Sequence, residues 1–109
     1  MLLRQRPGPV SAVDEPFALD DARLAELGFT RESLAEEIGR RSWFHTFDFG
    51  DGLGTPGRDV TRRKLAALHL PDLQGRSVID IGAYDGYFSF EAERRGARRV
   101  VASDHWAWT

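Results

Sequence analysis

The spacing of apolar residues changes along this chain, and each change marks an element. After Asp20, the apolar residues Leu24, Leu27 and Phe29 follow a carboxylate-rich start, and Gly28 suits a left-handed helix end, so a short helix is predicted here. Thr30 is a candidate N-cap for a second helix over 31–41. In it Leu34 and Ile38 share a face, glutamates lie toward the start, and Arg40 and Arg41 oppose the negative end of the dipole. Over 43–49 the aromatics Trp43, Phe44, Phe47 and Phe49 alternate with His45, Thr46 and Asp48, as in a half-buried strand. The glycines at 50, 52, 54 and 57, with Pro56, then force a turn-rich loop whose permissive backbone and aromatic flank suit a ligand wall. Asp59 or Thr61 can cap a third helix running through 64–70, with Leu65, Leu68 and His69 on neighbouring turns and Pro71 as its stop. This helix is expected to pack on the sheet that follows.

The remaining pattern reads as strand, glycine loop, helix and strand. A β-branched run covers 77–82, Gly82 and Gly86 bracket a loop, a helix is predicted over 87–95, and Gly96 sits at its left-handed cap. A second strand over 98–103 ends at Asp104, giving a βαβ unit with parallel strands and a right-handed crossover. In such a unit the strand ends and the helix N-terminus converge on one crevice, where backbone N–H groups and the helix dipole favour a polar or anionic ligand. Residues 1–16, with Pro7, Pro9 and Pro16 and no periodicity, read as a flexible arm.

Composition narrows the function classes. With 109 residues, 41% hydrophobic and 29% charged, the chain reads as one soluble globular domain. Its 15 Lys and Arg against 17 Asp and Glu lack the overall basic footprint of a protein that coats nucleic acid. A local patch at Arg94, Arg95, Arg98 and Arg99 is open to two readings, an RNA phosphate contact or charge that balances a helix C-terminus, and the second is the commoner use of such residues. The absence of cysteine excludes disulfides, thiol nucleophiles and thiolate metal sites, and the three histidines lack metal-ligand spacing, so no metal is expected. No signal-peptide core or membrane-spanning stretch is present, and a cytoplasmic location with no membrane partner is the expectation.

The glycine loop decides between ligands. A dinucleotide fingerprint needs glycines at its first, third and sixth positions, and counting from Gly82 these are Gly82, Tyr84 and Tyr87, which excludes a nicotinamide oxidoreductase. Counting from the strand-end acid gives Asp80-x-Gly82-x-Tyr84-x-Gly86, followed 18 residues later by Asp104. This resembles the first two motifs of class I S-adenosylmethionine-dependent methyltransferases, with Tyr84 standing where the middle glycine is usual. The segments Trp43 to Asp48, Thr55-Pro56-Gly57, Leu70-Pro71-Asp72-Leu73 and Asp80 to Ala97 narrow the resemblance to the branch called tRNA wobble-uridine methyltransferase-like.

The resemblance implies an α/β, Rossmann-like class I methyltransferase fold, truncated after its first βαβ unit and carrying an N-terminal helical extension. The implied organisation is an arm at 1–16, a helical and aromatic, Gly-rich lid at 17–76, and the start of a domain binding S-adenosyl-L-methionine at 77–109. Cofactor contacts are assigned to Asp80, Ile81, Gly82, Ala83, Tyr84, Gly86, Asp104 and His105. Asp104 suits the vicinal hydroxyls of a ribose, and Asp80 either holds the loop or answers the cationic end of the cofactor. The aromatic and Thr-Pro-Gly segments of this branch line or lid the mouth, which makes His45, Asp48, Thr55 and Arg58 candidates for contacts to the cofactor carboxylate or the acceptor. The acceptor stays open among a tRNA wobble uridine, a sugar and a small metabolite, and no catalytic base is assigned. The sheet is expected to be completed by a further C-terminal segment or a second chain. The competing reading is a catalytically silent module that binds the cofactor or a partner through Trp43, Phe44, Trp106 and Trp108.

Overall fold

The structure is a computed structural model that describes residues 17–106. The arm predicted at 1–16 and the ring of Trp108 lie outside these residues. The chain is a small α/β protein of four helices and two parallel strands among the described residues. It divides into two compact units, with the break between Arg62 and Arg63.

In the first unit, α1 (Asp21–Glu26) starts where Asp20 accepts a hydrogen bond from the backbone N–H of Arg23 at 2.7 Å, and it unwinds at Gly28 with φ +84°. The second helix, α2 (Arg31–Gly39), begins with a reciprocal capping box between Thr30 and Ser33. It ends earlier than the predicted 31–41, at Arg40, because the indole N–H of Trp43 donates to the carbonyl of Ile38 at 3.0 Å and turns the chain inward. Leu24, Ile38, Phe17 and Phe47 are the apolar core of this unit, with Phe47 ringed by Phe17 at 5.2 Å, Phe49 at 5.9 Å and Trp43 at 6.2 Å. Arg31 closes the unit by donating to the carbonyl of Leu19 at 2.9 Å and pairing with Asp21 and Asp51.

The strand predicted over 43–49 does not form. The burial alternation is there, with His45 and Phe47 buried and Phe44 and Thr46 exposed, yet only isolated bridges join His45 to Asp59 and Asp48 to Gly54. The physical reason lies in the threonines. The Phe47 N–H donates to the Thr55 hydroxyl at 2.7 Å and the Thr46 N–H to the Thr61 hydroxyl at 3.2 Å, so side chains take donors that a continuous ladder would use.

The third helix, α3 (Thr61–Leu68), stops before the predicted 70 because His69 adopts φ +46°. The expected packing of its apolar row on the sheet is not found. Leu68 is 53% exposed and only Leu65 is half-buried among Arg62 to Leu68, because two leucines in a stretch otherwise basic or alanine offer too narrow an apolar stripe.

The second unit is built on β1 (Ser77–Ile81), α4 (Tyr87–Arg94) and β2 (Arg99–Ser103). The strands are parallel, with Ser77 opposite Arg99 and Ile81 opposite Ser103. The entry turn is fastened to the unit by the Gly75 N–H donating to the Gly96 carbonyl at 2.9 Å and the Arg98 N–H to the Arg76 carbonyl at 2.8 Å. Helix α4 packs on both strands, and Tyr87, Ala92 and Glu91 are buried. The fully buried Glu91 carboxylate binds Arg94 at 2.6 Å and Arg95 at 2.8 Å, so two of the four arginines at this helix end serve the charge balance. Period-two alternation gives the sheet two unlike faces. Val78, Asp80, Val100 and Ala102 are half-buried, whereas Ile79, Ile81 and Val101 are 64%, 80% and 40% exposed. No helix among the described residues is long and apolar enough to cross a membrane.

Candidate functional site

Where β1 ends, the chain must turn sharply beside β2 and enter α4. Gly82 with φ +76° makes the first reversal, and its N–H and that of Ala83 both donate to the Ser103 carbonyl, at 2.8 and 3.0 Å. Ala83 is buried beneath the turn. The Tyr84 N–H donates to Asp104 Oδ2 at 2.8 Å, and the Trp106 N–H donates to Asp104 Oδ1 at 2.8 Å. The Gly86 N–H donates to the Ala83 carbonyl at 2.8 Å, and Gly86, at φ +89°, starts α4 without a side-chain cap. A Cβ at Gly86 would press on the Phe90 ring at 3.2 Å, while one at Gly82 would stand in open space. The loop backbone is therefore bare on its outer side at Gly82, where a ligand can come close.

Six of the predicted residues meet at this strand end: Asp80, Gly82, Ala83, Tyr84, Gly86 and Asp104. Asp80 is held toward α4 by the Ser89 hydroxyl, which donates to Oδ2 at 2.8 Å. Ile81 contributes backbone to the turn and sends its side chain to the bare face of the sheet. His105 is exposed and meets the Trp106 ring edge-on at 5.1 Å. Ser89 and Ser103 escaped the sequence reading. The signal for Ser89 was a hydroxyl in the first turn of a helix facing a strand-end acid, and Ser103 acts only through its carbonyl, which no side-chain pattern reveals.

The electrostatics differ from expectation. The loop N–H groups were expected to favour a polar or anionic ligand, but those of Gly82, Ala83, Tyr84 and Gly86 are all bonded within the protein. Asp80, Asp85 and Asp104 add negative charge around the same turn. Such a site repels phosphate and suits a ligand that is neutral or cationic near the loop.

The four candidates in the aromatic segment stand in the first unit. Thr55 is 4% exposed, and its hydroxyl donates to the His45 carbonyl at 2.9 Å while accepting from Phe47. His45 is also 4% exposed. Asp48 is half-buried and accepts from the Gly50 N–H at 2.9 Å, closing a tight turn, and Arg58 is exposed. The Thr-Pro-Gly glycine has a local cause, since a Cβ at Gly57 would overlap the His45 carbonyl. An open cleft of about 530 Å³ in this unit is lined by Arg31, Phe49, Asp20, Asp21 and Asp51, and by none of these four candidates. No cluster of residues suited to hold a metal occurs among the described residues.

Comparison with known proteins gives one partial likeness. The chain is 37% identical over 59 residues to a tRNA U34 carboxymethyltransferase of Marinobacter nauticus, a stretch that is 53% of this chain and 18% of that protein. It therefore spans less than a fifth of that relative's length. No family model matches the chain, and no solved structure matches it. The likeness supports a methyltransferase-like relationship, and the two parallel strands with their helices are compatible with the opening of a Rossmann-like sheet.

Proposed function

We propose that residues 77–106 are the methyl-donor-binding start of an S-adenosylmethionine-dependent methyltransferase of class I, Rossmann-like architecture. The observation that carries this reading is the state of the glycine loop. Its N–H groups are bonded internally and acids surround it, so it suits a nucleoside that bears a cationic arm rather than a pyrophosphate. The residues fit such a cofactor. The Tyr84 and Trp106 N–H groups fix the Asp104 carboxylate beside the loop, the position from which it would accept from a ribose hydroxyl. Gly82 leaves space for the ligand to approach the backbone. Asp80, fixed by Ser89, places negative charge at the end of β1, where it answers the cationic arm.

The cofactor, when bound, supplies an electrophilic methyl group on a sulfonium for in-line displacement. What this chain's residues contribute is orientation: a carboxylate fixed by backbone N–H groups for the sugar, a glycine gap, and a loop held by its own hydrogen bonds. A tRNA wobble uridine, a sugar and a small metabolite are the acceptors in view, the first because the partial relative's name carries tRNA. The bare face of Ile79, Ile81 and Val101 favours a further element on this sheet, supplied by a longer chain or a second one. The same face favours the second reading, a silent module completed by a partner.

Asp104→Ala tests the proposal. Loss of two charge-assisted hydrogen bonds to a ribose, about 1.5 kcal/mol or more each, predicts at least a tenfold weaker S-adenosylmethionine affinity by calorimetry. Unchanged affinity rejects the assignment.

A further inference from the structure

The arginines around the end of α4 do not share one use. Arg94 and Arg95 bind the buried Glu91 carboxylate at 2.6 and 2.8 Å. Arg98 and Arg99 lie past Gly96, beyond the last turn of the helix, where its dipole no longer accounts for them. A further arginine joins these two. Arg76 precedes β1, and its carbonyl accepts from the Arg98 N–H at 2.8 Å. The Arg98 guanidinium reaches across to the start of β1, where Nη2 donates to the Ser77 hydroxyl at 3.2 Å. Ser77 follows Arg76 directly and stands opposite Arg99 in the register. Three exposed arginines therefore gather around one serine.

No acid offsets them. Segments 73–79 and 96–103 contain no Asp or Glu, and among the described residues Arg76, Arg98 and Arg99 form no ion pair. Like charges held this close repel one another, and the strand ladder, made by backbone groups, does not call for them. The βαβ unit is electrically lopsided as a result. Its strand starts carry these cations, and its strand ends carry Asp80, Asp85 and Asp104, about 16 Å away for strands of five residues. A field of this shape draws a polyanion to the first end and keeps it off the second.

We infer that Arg76, Arg98 and Arg99 form a docking surface for the phosphodiester backbone of a nucleic acid. The fork of a guanidinium matches a pair of phosphate oxygens, and closely spaced phosphates let each arginine find a partner without a fixed register. The exposed neighbours Gln74, Gly75 and Ser77 supply no aromatic ring, so the surface grips backbone and does not stack on bases. They also supply no apolar centre for a protein interface and no apolar anchor for a membrane. The inference stands on the charge arrangement and does not need the cofactor reading.

The test is fluorescence anisotropy of a labelled oligouridylate titrated with the whole chain, with thermal melts to show that each variant folds. Three phosphate contacts on a single strand predict that affinity falls roughly twentyfold between about 50 and 200 mM salt, a log–log slope of about −2. Arg76→Gln, Arg98→Gln and Arg99→Gln should each lower the slope by about 0.7, and Arg99→Lys, which keeps the charge, should preserve it. Arg63→Gln removes an exposed charge from α3 and should leave the slope unchanged. The inference is overturned if the folded chain does not bind the oligouridylate, or if Arg63→Gln lowers the slope as much as the other three. Tighter binding to polyglutamate or to phosphatidylserine vesicles than to the oligouridylate also overturns it, as an acidic protein segment or a membrane would then be the better partner. S-adenosylmethionine affinity, read in the same variants, should not move, so loss of the nucleic-acid surface and loss of the cofactor reading are told apart.

Discussion

The two units solve the same problem in opposite ways. Residues 17–62 have little regular structure after α2, yet their turns are pinned by buried hydroxyls, with Thr55 and Thr61 accepting from the backbone of Phe47 and Thr46. The βαβ unit has regular strands in register and a helix across one face, yet leaves Ile79 and Ile81 more than half exposed on the other. Regular hydrogen bonding is thus no measure of burial, since a ladder satisfies backbone groups while an apolar face still needs a second layer.

Substitutions in each unit sharpen this contrast. The largest effect is expected at Tyr87, 2% exposed, where Tyr87→Ala opens a cavity in the covered side of the βαβ unit and costs roughly 3–5 kcal/mol in urea unfolding. Thr55→Val keeps the shape of a buried side chain but removes the hydroxyl that accepts from the Phe47 N–H and donates to the His45 carbonyl, for about 2 kcal/mol. A loss below about 0.5 kcal/mol at Thr55 would show that the hydroxyl lattice does not hold the first unit. Ile81→Ser, on the bare face, should change stability by no more than about 0.5 kcal/mol. A loss as large as that at Tyr87 would mean that this face is covered in solution.

The smallest effect concerns pH. Hydrogen bonds from Arg41 and then Arg40 hold the Glu37 carboxyl below its ordinary value of 4.5. A lowered folded-state value means that the contribution is present above 4.5 and is lost as pH falls through the lowered value. The group is exposed, so the slope should be slight, abolished by Glu37→Gln and reduced at high salt. Equal acid slopes for the two proteins would show that the pair adds nothing.

What was legible in the sequence was local. Asp20 and Thr30 cap their helices because a cap needs only three residues of context, and Gly82, Gly86 and Gly96 take left-handed backbone for the same reason. What was not legible crosses the chain. The strand read over 43–49 fails because hydroxyls from 8 and 15 residues away reach its N–H groups. The loop's N–H groups are bound by Ser103 and Asp104, the latter 20 residues beyond Tyr84, which leaves the polar half of the expected polar or anionic preference and removes the anionic half. Helix α3 showed a helical period but too few apolar residues to find a partner.

The measurement that tests the account most directly is titration of the 109-residue chain with S-adenosylmethionine and S-adenosylhomocysteine, paired with thermal melts. The account predicts saturable binding of both and a cooperative melt whose midpoint rises with ligand concentration, as binding to the folded state requires. A cooperative melt that saturating cofactor leaves unmoved would contradict it.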